Sequence, residues 1–129
     1  MDEIKVVVQD DKIIWYNSKD QMHREDGPAM VWGQTKYWYI NGVKHRFGAP
    51  AVVHADGSKE WYLGGKRHRL DGPAIEKSNG EQYWFINGKQ YSQDEFYTMN
   101  ENRTVLLNID GRDVRVSANT FHKMRDSFS

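Results

Sequence analysis

Four of the five tryptophans in the 129-residue chain recur at a fixed interval. They stand at Trp15, Trp38, Trp61 and Trp84, so consecutive members are 23 residues apart. The text around them also repeats, as "WYNSKDQMHREDGPAMV", "WYINGVKHRFGAPAVV", "WYLGGKRHRLDGPAIE" and a shortened "WFINGKQY". A fixed period of this length is the signature of one supersecondary unit stacked on copies of itself. We number the four units by these tryptophans, in chain order.

Each unit is predicted to be a β-hairpin. The segments "YWYI", "EWYL" and "YWFI" alternate in residue type with the period of two that a strand shows. In the second unit this alternation puts Trp38 and Ile40 on one face of the strand. Asn41-Gly42, Gly64-Gly65 or Asn87-Gly88 follows, and these dipeptides tolerate the positive φ angles of a type I′ turn. A lone hairpin is marginal in water, so the units must pack on each other. We therefore expect a mainly β chain whose hairpins form an elongated, twisted antiparallel sheet.

A histidine–arginine pair and a proline mark the corner of each of the first three units. The residues are His23, Arg24 and Pro28, then His45, Arg46 and Pro50, then His68, Arg69 and Pro73. Neighbouring strand residues point to opposite faces, so we expect the His to pack against the Trp ladder and the Arg to pair with Asp26 or Asp71. Because proline lacks the N–H that a central ladder uses, each Gly-Pro predicts a bulge or a bend.

Two catalytic interpretations of these pairs are disfavoured. Equivalent residues of successive hairpins lie two strands apart, about 9–10 Å at ~4.8 Å per strand, whereas zinc ligands lie about 2 Å from the metal. A phosphodiesterase-type site is disfavoured because a catalytic constellation is made once, whereas this pair is made three times. Gly48 and Ala49 also replace the Asp-Gly of the other units. We predict no metal, no cofactor and no enzymatic activity.

A second row of rings, with cations nearby, is the predicted binding surface. Its members are Tyr16, Tyr37, Tyr39, Tyr62, Tyr83 and Phe85, with Lys44, Lys66, Arg67 and Lys89. Exposed rings and guanidinium groups dominate protein interfaces. Burial of the same row under the C-terminal helices, as a second small core, is an equal alternative. Stacking combined with phosphate contact would instead suit a nucleotide, a single strand or an anionic lipid headgroup.

The two ends of the chain do not follow the repeat. Ile4 to Val8 alternates in character and predicts a strand that caps the first unit. "SQDE", from Ser92, has the spacing of a capping box and predicts a short helix. The remainder predicts a hairpin about Asp110-Gly111 and a helix from about Ala118. This end is a small α/β cap.

The composition of the chain excludes several classes of protein. The chain is divided into a repeat region, 1–91, and the α/β appendage, 92–129. Eighteen basic and eighteen acidic residues cancel, so bulk attraction to nucleic acid or an anionic membrane is not expected. The absence of cysteine excludes disulfides and thiol chemistry. No apolar run approaches the roughly 20 residues of a membrane span, and "MDEIK" is unlike a targeting peptide, so a cytoplasmic protein is expected.

The period, the aromatic-Trp-aromatic strand, the Asn-Gly-Lys turn and the following His resemble the MORN (membrane occupation and recognition nexus) repeat over residues 14–91. Arg24, Arg46 and Arg69 stand where that repeat usually has Gly. Together with "DGPA" or "GAPA", they resemble a divergent form common in bacteriophage and giant-virus proteins. The resemblance implies an elongated scaffold that binds proteins, with lipid binding in some members. It implies no common catalytic residue.

The function predicted from these features is a non-enzymatic protein-binding module. By analogy with the phage proteins it resembles, it would be an accessory protein that inhibits or redirects a host factor, such as a defence enzyme, in the host cytoplasm. The alternative is a protein that sequesters a nucleotide or binds a phospholipid through the Tyr/Lys/Arg row. A phosphodiesterase-like enzyme is the third and weakest candidate.

Overall fold

The computed structural model describes the backbone of residues 3–127 and the side chains of residues 3–124. Over this range the chain is mainly β. The strands are, in chain order, β1 (Lys5–Gln9), β2 (Lys12–Tyr16), β3 (Met30–Trp32), β4 (Thr35–Tyr37), β5 (Tyr39–Ile40), β6 (Val43–Lys44), β7 (Val52–Val53), β8 (Lys59–Glu60), β9 (Tyr62–Leu63), β10 (Lys66–Arg67), β11 (Ile75–Glu76), β12 (Gln82–Ile86), β13 (Lys89–Tyr91), β14 (Thr104–Ile109) and β15 (Arg112–Ser117). Two helices, α1 (Gln93–Asn102) and α2 (Ala118–Ser127), complete the described chain.

Nine strands form one antiparallel sheet within the described residues. Its order is β1-β2-β3-β4-β7-β8-β11-β12-β13, so β1 and β13 are the edges. The six strands that this order skips form three separate hairpins: β5 with β6, β9 with β10, and β14 with β15. The tight turns have the predicted conformation, since Asn41 and Gly42 both have positive φ, at 47° and 83°. The predicted fold class is confirmed: hairpins add to one antiparallel sheet, and a small α/β element follows.

The tryptophans of the second and third units each interrupt a strand. Trp38 lies between β4 and β5, and Trp61 lies between β8 and β9. The Trp38 N–H donates to the residue just before β7, Ala51 O at 2.7 Å, and the Trp38 carbonyl accepts from His45 N at 3.1 Å. The backbone therefore passes from the large sheet to the small hairpin at Trp38. The expected continuous strand is broken because its two halves pair with different partners.

The prolines lie in the connection that returns the chain to the large sheet, outside any strand. The alanine after each proline is fully buried, and its carbonyl accepts from the Trp N–H of the same unit at 2.7 Å; the three pairs are Ala29 with Trp15, Ala51 with Trp38 and Ala74 with Trp61. Ala51 also belongs to a buried cluster with Val52 and Tyr62. The site of the alanine side chain after each proline, which we call the tight corner, therefore has room for a methyl group and little more.

Strand β1 caps the first unit, as predicted, and places Val6 opposite Trp15. At the other end, Ser92 and Glu95 form the predicted capping box at the start of α1. The hairpin β14–β15 pairs across Asp110-Gly111, as predicted, and α2 follows it. These elements are local in sequence, and each forms where its own residues specify it.

Substituting Ala51 tests the tight corner. Ala51→Leu is expected to lower the free energy of unfolding by about 1–3 kcal/mol, because extra methylenes have no space at a fully buried site. The matched control is Ala55→Leu, since Ala55 is exposed beside the next turn and a surface change there should have an effect below about 0.5 kcal/mol. The measurement is the urea midpoint of each variant. Equal midpoints for the two variants would contradict the tight corner.

Candidate binding surface

The arginine of each His-Arg pair lies over the indole of its own unit. The distances from Cζ to the ring centroid are 4.1 Å for Arg24 on Trp15, 3.9 Å for Arg46 on Trp38 and 3.8 Å for Arg69 on Trp61. Each guanidinium also donates from Nη1 to the carbonyl of its unit's proline, at 3.3 Å to Pro28, 3.0 Å to Pro50 and 3.1 Å to Pro73. The arginine thus folds back over the corner that the tryptophan makes.

The stacking of the arginine on the indole is a contact that the sequence did not predict. Packing of the histidine against the Trp ladder stays a prediction. A planar guanidinium stacks on an indole face with a cation–π attraction of about 0.5–2 kcal/mol. Gly27 and Gly72 leave the space for it, because a Cβ at either position would lie 2.9 Å from the Cζ of Arg24 or Arg69. In these two units the Gly of "DGP" therefore accommodates the arginine. The second unit keeps the same stack with Ala49 at this position, on a different backbone in which Gly48 has a φ of 72°.

The expected Arg–Asp pairs are present in the first and third units. Arg24 Nε donates to Asp26 Oδ1 at 2.9 Å, and Arg69 Nε donates to Asp71 Oδ1 at 2.8 Å. Arg69 also donates to Glu76 Oε1 at 3.0 Å. The second unit differs, because no carboxylate among the described residues pairs with Arg46. Burial lowers the pKa of Arg46 from its usual value.

The histidines connect one unit to the next. In each case Nδ1 accepts a hydrogen bond of 2.9 Å from a backbone N–H in the turn of the following unit, His23 from Asn41, His45 from Gly64 and His68 from Asn87. A nitrogen that accepts must be unprotonated, so the proton of the neutral ring lies on Nε2. Each imidazole serves a different turn. The described residues contain no group of three or more metal-ligating side chains placed to hold an ion.

The predicted row of rings is partly covered by the chain's own cations. Tyr62 and Phe85 are buried, and the other four rings, Tyr16, Tyr37, Tyr39 and Tyr83, are half-buried. Lys44 Nζ lies 4.9 Å from the Tyr62 ring centroid, and Arg67 Cζ lies 5.3 Å from that of Phe85. Each of these cations belongs to the unit before its ring. Lys66 and Lys89 are exposed, and Lys89 lies over Tyr91 at 5.2 Å.

A hydrogen-bonded network joins this row at Glu60, a residue the repeat pattern does not single out. His54 Nε2 lies 2.6 Å from Glu60 Oε2, and Tyr62 Oη donates to Glu60 Oε1 at 3.0 Å. Arg67 Nε donates to Tyr62 Oη at 3.2 Å. Burial disfavours the carboxylate, but hydrogen bonds from His54 and Tyr62 hold the pKa of Glu60 below its usual value. The signal in the sequence is the Asp56-Gly57 turn, which brings His54 and Glu60 together.

Burial also keeps the neighbouring phenols protonated. It raises the pKa of Tyr39, helped by Tyr37 and Tyr62, and it is the largest influence raising the pKa of Tyr62. A phenol with a raised pKa is a poor general base near neutral pH. These groups are suited to hydrogen bonding and packing.

Grooves open beside the Arg–Trp stacks of the first two units. The first groove, of about 990 Å³, is lined by Ile4, Trp15, His23 and Arg24 among others. The second groove, of about 490 Å³, lies between residues 24–27 and the corner of the second unit, where it is lined by Trp38, Ile40, His45, Arg46 and Phe47. Phe47 is 78% exposed, and its ring meets the His45 ring edge-on at 4.9 Å.

Helix α1 covers the equivalent place at the other end of the repeats. Tyr97 packs edge-on against Trp84, with ring centroids 6.4 Å apart, and Asn100 Nδ2 donates to Leu70 O at 3.0 Å. Phe96 is fully buried. Leu70, Phe47 and Glu25 are the residues that follow the three His-Arg pairs. The sequence signal for this surface is therefore the position after each His-Arg pair, which differs in all three units.

The chain was compared with known protein families, curated proteins and solved structures. No family model, curated protein or solved structure matches the chain. Neither helix in the described part of the chain is long and apolar enough to cross a membrane. The arguments for function therefore come from the grooves, the ring–cation pairs and the repeat motif.

Lowering the pH is expected to weaken the hydrogen bond between His68 Nδ1 and the Asn87 N–H. Burial, and then the charge of Arg103, lower the pKa of His68 below its usual value of about 6.5. The unfolded chain then binds the proton more tightly, so this contribution is present above about pH 6.5 and is lost as the pH falls through that value toward the lower folded pKa. Asp56 and Glu60, whose pKa values are lowered, act in the same direction only below about pH 4.5.

The matched variant is His68→Asn, whose Oδ1 can accept where Nδ1 does but does not titrate. Between about pH 7.5 and 5.5 the native chain should lose more free energy of unfolding than this variant, as measured by urea unfolding at both pH values. An equal loss in the two proteins would contradict the prediction.

Proposed function

We propose that the chain is a non-enzymatic, MORN-like binding module that acts by covering a surface of a partner protein. The observation that carries this proposal is the contrast between the two ends of the Arg–Trp face. At the last unit α1 packs there, burying Phe96 and reaching Leu70 O. At the first two units the same face is open and presents Phe47. A partner segment at the open end would make the same kinds of contact as α1.

The hydrogen bonds that the titratable side chains already make within the chain support a binding function over catalysis. Each repeat histidine accepts a backbone N–H, and Glu60 is held by His54 and Tyr62. General acid–base catalysis needs a group that can exchange a proton with a substrate. Groups already held in structural hydrogen bonds fit that role poorly.

The biological form of the proposal rests on the repeat motif. The "HREDGPA" and "HRLDGPA" segments resemble a divergent repeat of bacteriophage proteins. In this form of the proposal, the partner is a host factor in the cytoplasm, such as a defence enzyme, which the chain inhibits or redirects by occlusion.

The alternative is sequestration of a nucleotide or recognition of an anionic lipid. It is favoured by the exposure of Lys66, Arg67 and Lys89, which lie on two successive hairpins. A phosphate group placed beside them would gain charge-assisted hydrogen bonds. The burial of Tyr62 and Phe85 counts against it, because stacking needs an accessible ring face.

The test is recovery of partners from host lysate with the tagged chain, followed by a binding titration with the protein recovered. Phe47→Ser should weaken that binding at least about tenfold, because exposed aromatic anchors carry a large share of interface energy. The matched control is Leu106→Ser, which changes an exposed apolar residue of β14 and should leave binding unchanged.

The competing function predicts a different result. Nucleotides or phosphoinositide vesicles would raise the melting temperature, and the double variant Lys66→Gln with Arg67→Gln would lose that increase. This outcome, together with full partner binding by Phe47→Ser, would overturn the proposal.

A further inference from the structure

The three corner arginines have unequal numbers of carboxylate partners. Arg69 has two, Asp71 and Glu76, and Arg24 has one, Asp26. Arg46 has none among the described residues, because Gly48 and Val53 stand where the third unit has Asp71 and Glu76. The position of Arg46 over Trp38 is nevertheless preserved, at 3.9 Å. The second unit therefore keeps the cation of the motif and lacks its anion.

The guanidinium of Arg46 retains donors for an incoming group. Of its five N–H donors, the described hydrogen bonds occupy one on Nη1, which donates to Pro50 O at 3.0 Å. In the other two units Nε donates to an aspartate at 2.9 and 2.8 Å, which fixes where a carboxylate belongs relative to the stacked ring. A partly desolvated cation gains more from a carboxylate than a fully hydrated one does.

The surroundings of Arg46 define the rest of the ligand. The second groove has an apolar side made by Trp38, Ile40 and Phe47. Glu25 and Asp26 also line it, but Asp26 accepts from Arg24 at 2.9 Å and Glu25 lies 3.5 Å from His23 Nε2. These acids disfavour a doubly charged phosphate more than a single carboxylate. A volume of about 490 Å³ suits a few side chains of a polypeptide.

We propose that the second groove is a docking site for an acidic segment of a partner protein, in which an Asp or Glu next to an apolar residue pairs with Arg46. The partner's carboxylate takes the place that Asp26 and Asp71 hold in the neighbouring units. Its apolar neighbour packs on Phe47. This inference rests on the proposed function and names the chemistry of the partner at that surface.

The test uses defined probes on the whole chain. N-acetyl-Phe-Asp-amide is titrated while the Arg46 Nε–H and Gly48 amide signals are followed by NMR, with N-acetyl-Phe-Asn-amide and inorganic phosphate in parallel. The acidic dipeptide should shift both signals saturably, and the amide analogue should bind at least about tenfold more weakly, since it lacks the charge. Equal binding of the two dipeptides, or a shift caused by phosphate and not by the acidic dipeptide, would overturn the inference.

Two variants separate pairing from general charge. The double variant Gly48→Asp with Ala49→Gly restores the Asp-Gly-Pro text of the other units, so its own carboxylate should occupy Arg46 and abolish dipeptide binding. Gly48 has a φ of 72°, so an aspartate there strains the backbone and the melting temperature should fall. The matched variant Gly48→Asn with Ala49→Gly imposes similar strain without the charge and should still bind the dipeptide. Arg46→Lys should weaken binding because it loses the planar fork. The control Arg112→Lys alters an exposed arginine of β15 and should bind as the native chain does. Undiminished binding by the double variant with Gly48→Asp would also overturn the inference.

Failure of this inference is distinguishable from failure of the proposed function. If Phe47→Ser releases a recovered partner while the acidic dipeptide does not bind, the protein-binding function stands and the carboxylate site is wrong. If the dipeptide binds through Arg46 and Phe47→Ser leaves partner binding intact, the carboxylate site stands and the proposed binding surface is wrong.

Discussion

The structure depends on one hydrogen bond that is made three times. A histidine at the corner of one unit accepts, through Nδ1, from a backbone N–H in the turn of the next, at 2.9 Å each time. The small hairpins do not pair with each other in a continuous ladder, so this bond fixes their spacing together with two backbone hydrogen bonds at each junction. At the first junction these two run from Arg24 N–H to Tyr39 O and from Gly42 N–H to Met22 O. With the histidine engaged there, the adjacent arginine covers the indole. The positions of Trp, His and Arg in the motif follow from these two roles.

Much of the fold is predictable because its determinants are local. The 23-residue period, the positive φ of Asn41-Gly42 and the Ser92 capping box each depend on a few neighbouring residues. The break of the strand at Trp38 is not predictable in this way. It arises because the halves of "YWYI" pair with different strands, and alternation of residue character is the same whether a strand keeps one partner or changes it.

The binding surface is less predictable than the fold because it depends on contacts between residues of different units. Alternation places Tyr62 and Phe85 on the second face, but it cannot show that Lys44 and Arg67 from the preceding units lie over them. The Arg–Asp pairs are predictable because the residues lie two apart in sequence. The second groove depends on the relative placement of two units. Its visible trace in the sequence is the change from Asp-Gly to Gly48-Ala49 beside Phe47.

The state of the three repeat imidazoles tests the central claim most directly. Nitrogen NMR at about pH 8 distinguishes a ring protonated on Nε2 from one protonated on Nδ1. The account predicts that His23, His45 and His68 all carry the proton on Nε2, with hydrogen-bond couplings from the Asn41, Gly64 and Asn87 amides to Nδ1. Protonation on Nδ1 in these rings, or rapid exchange of the three amides with solvent, would contradict it.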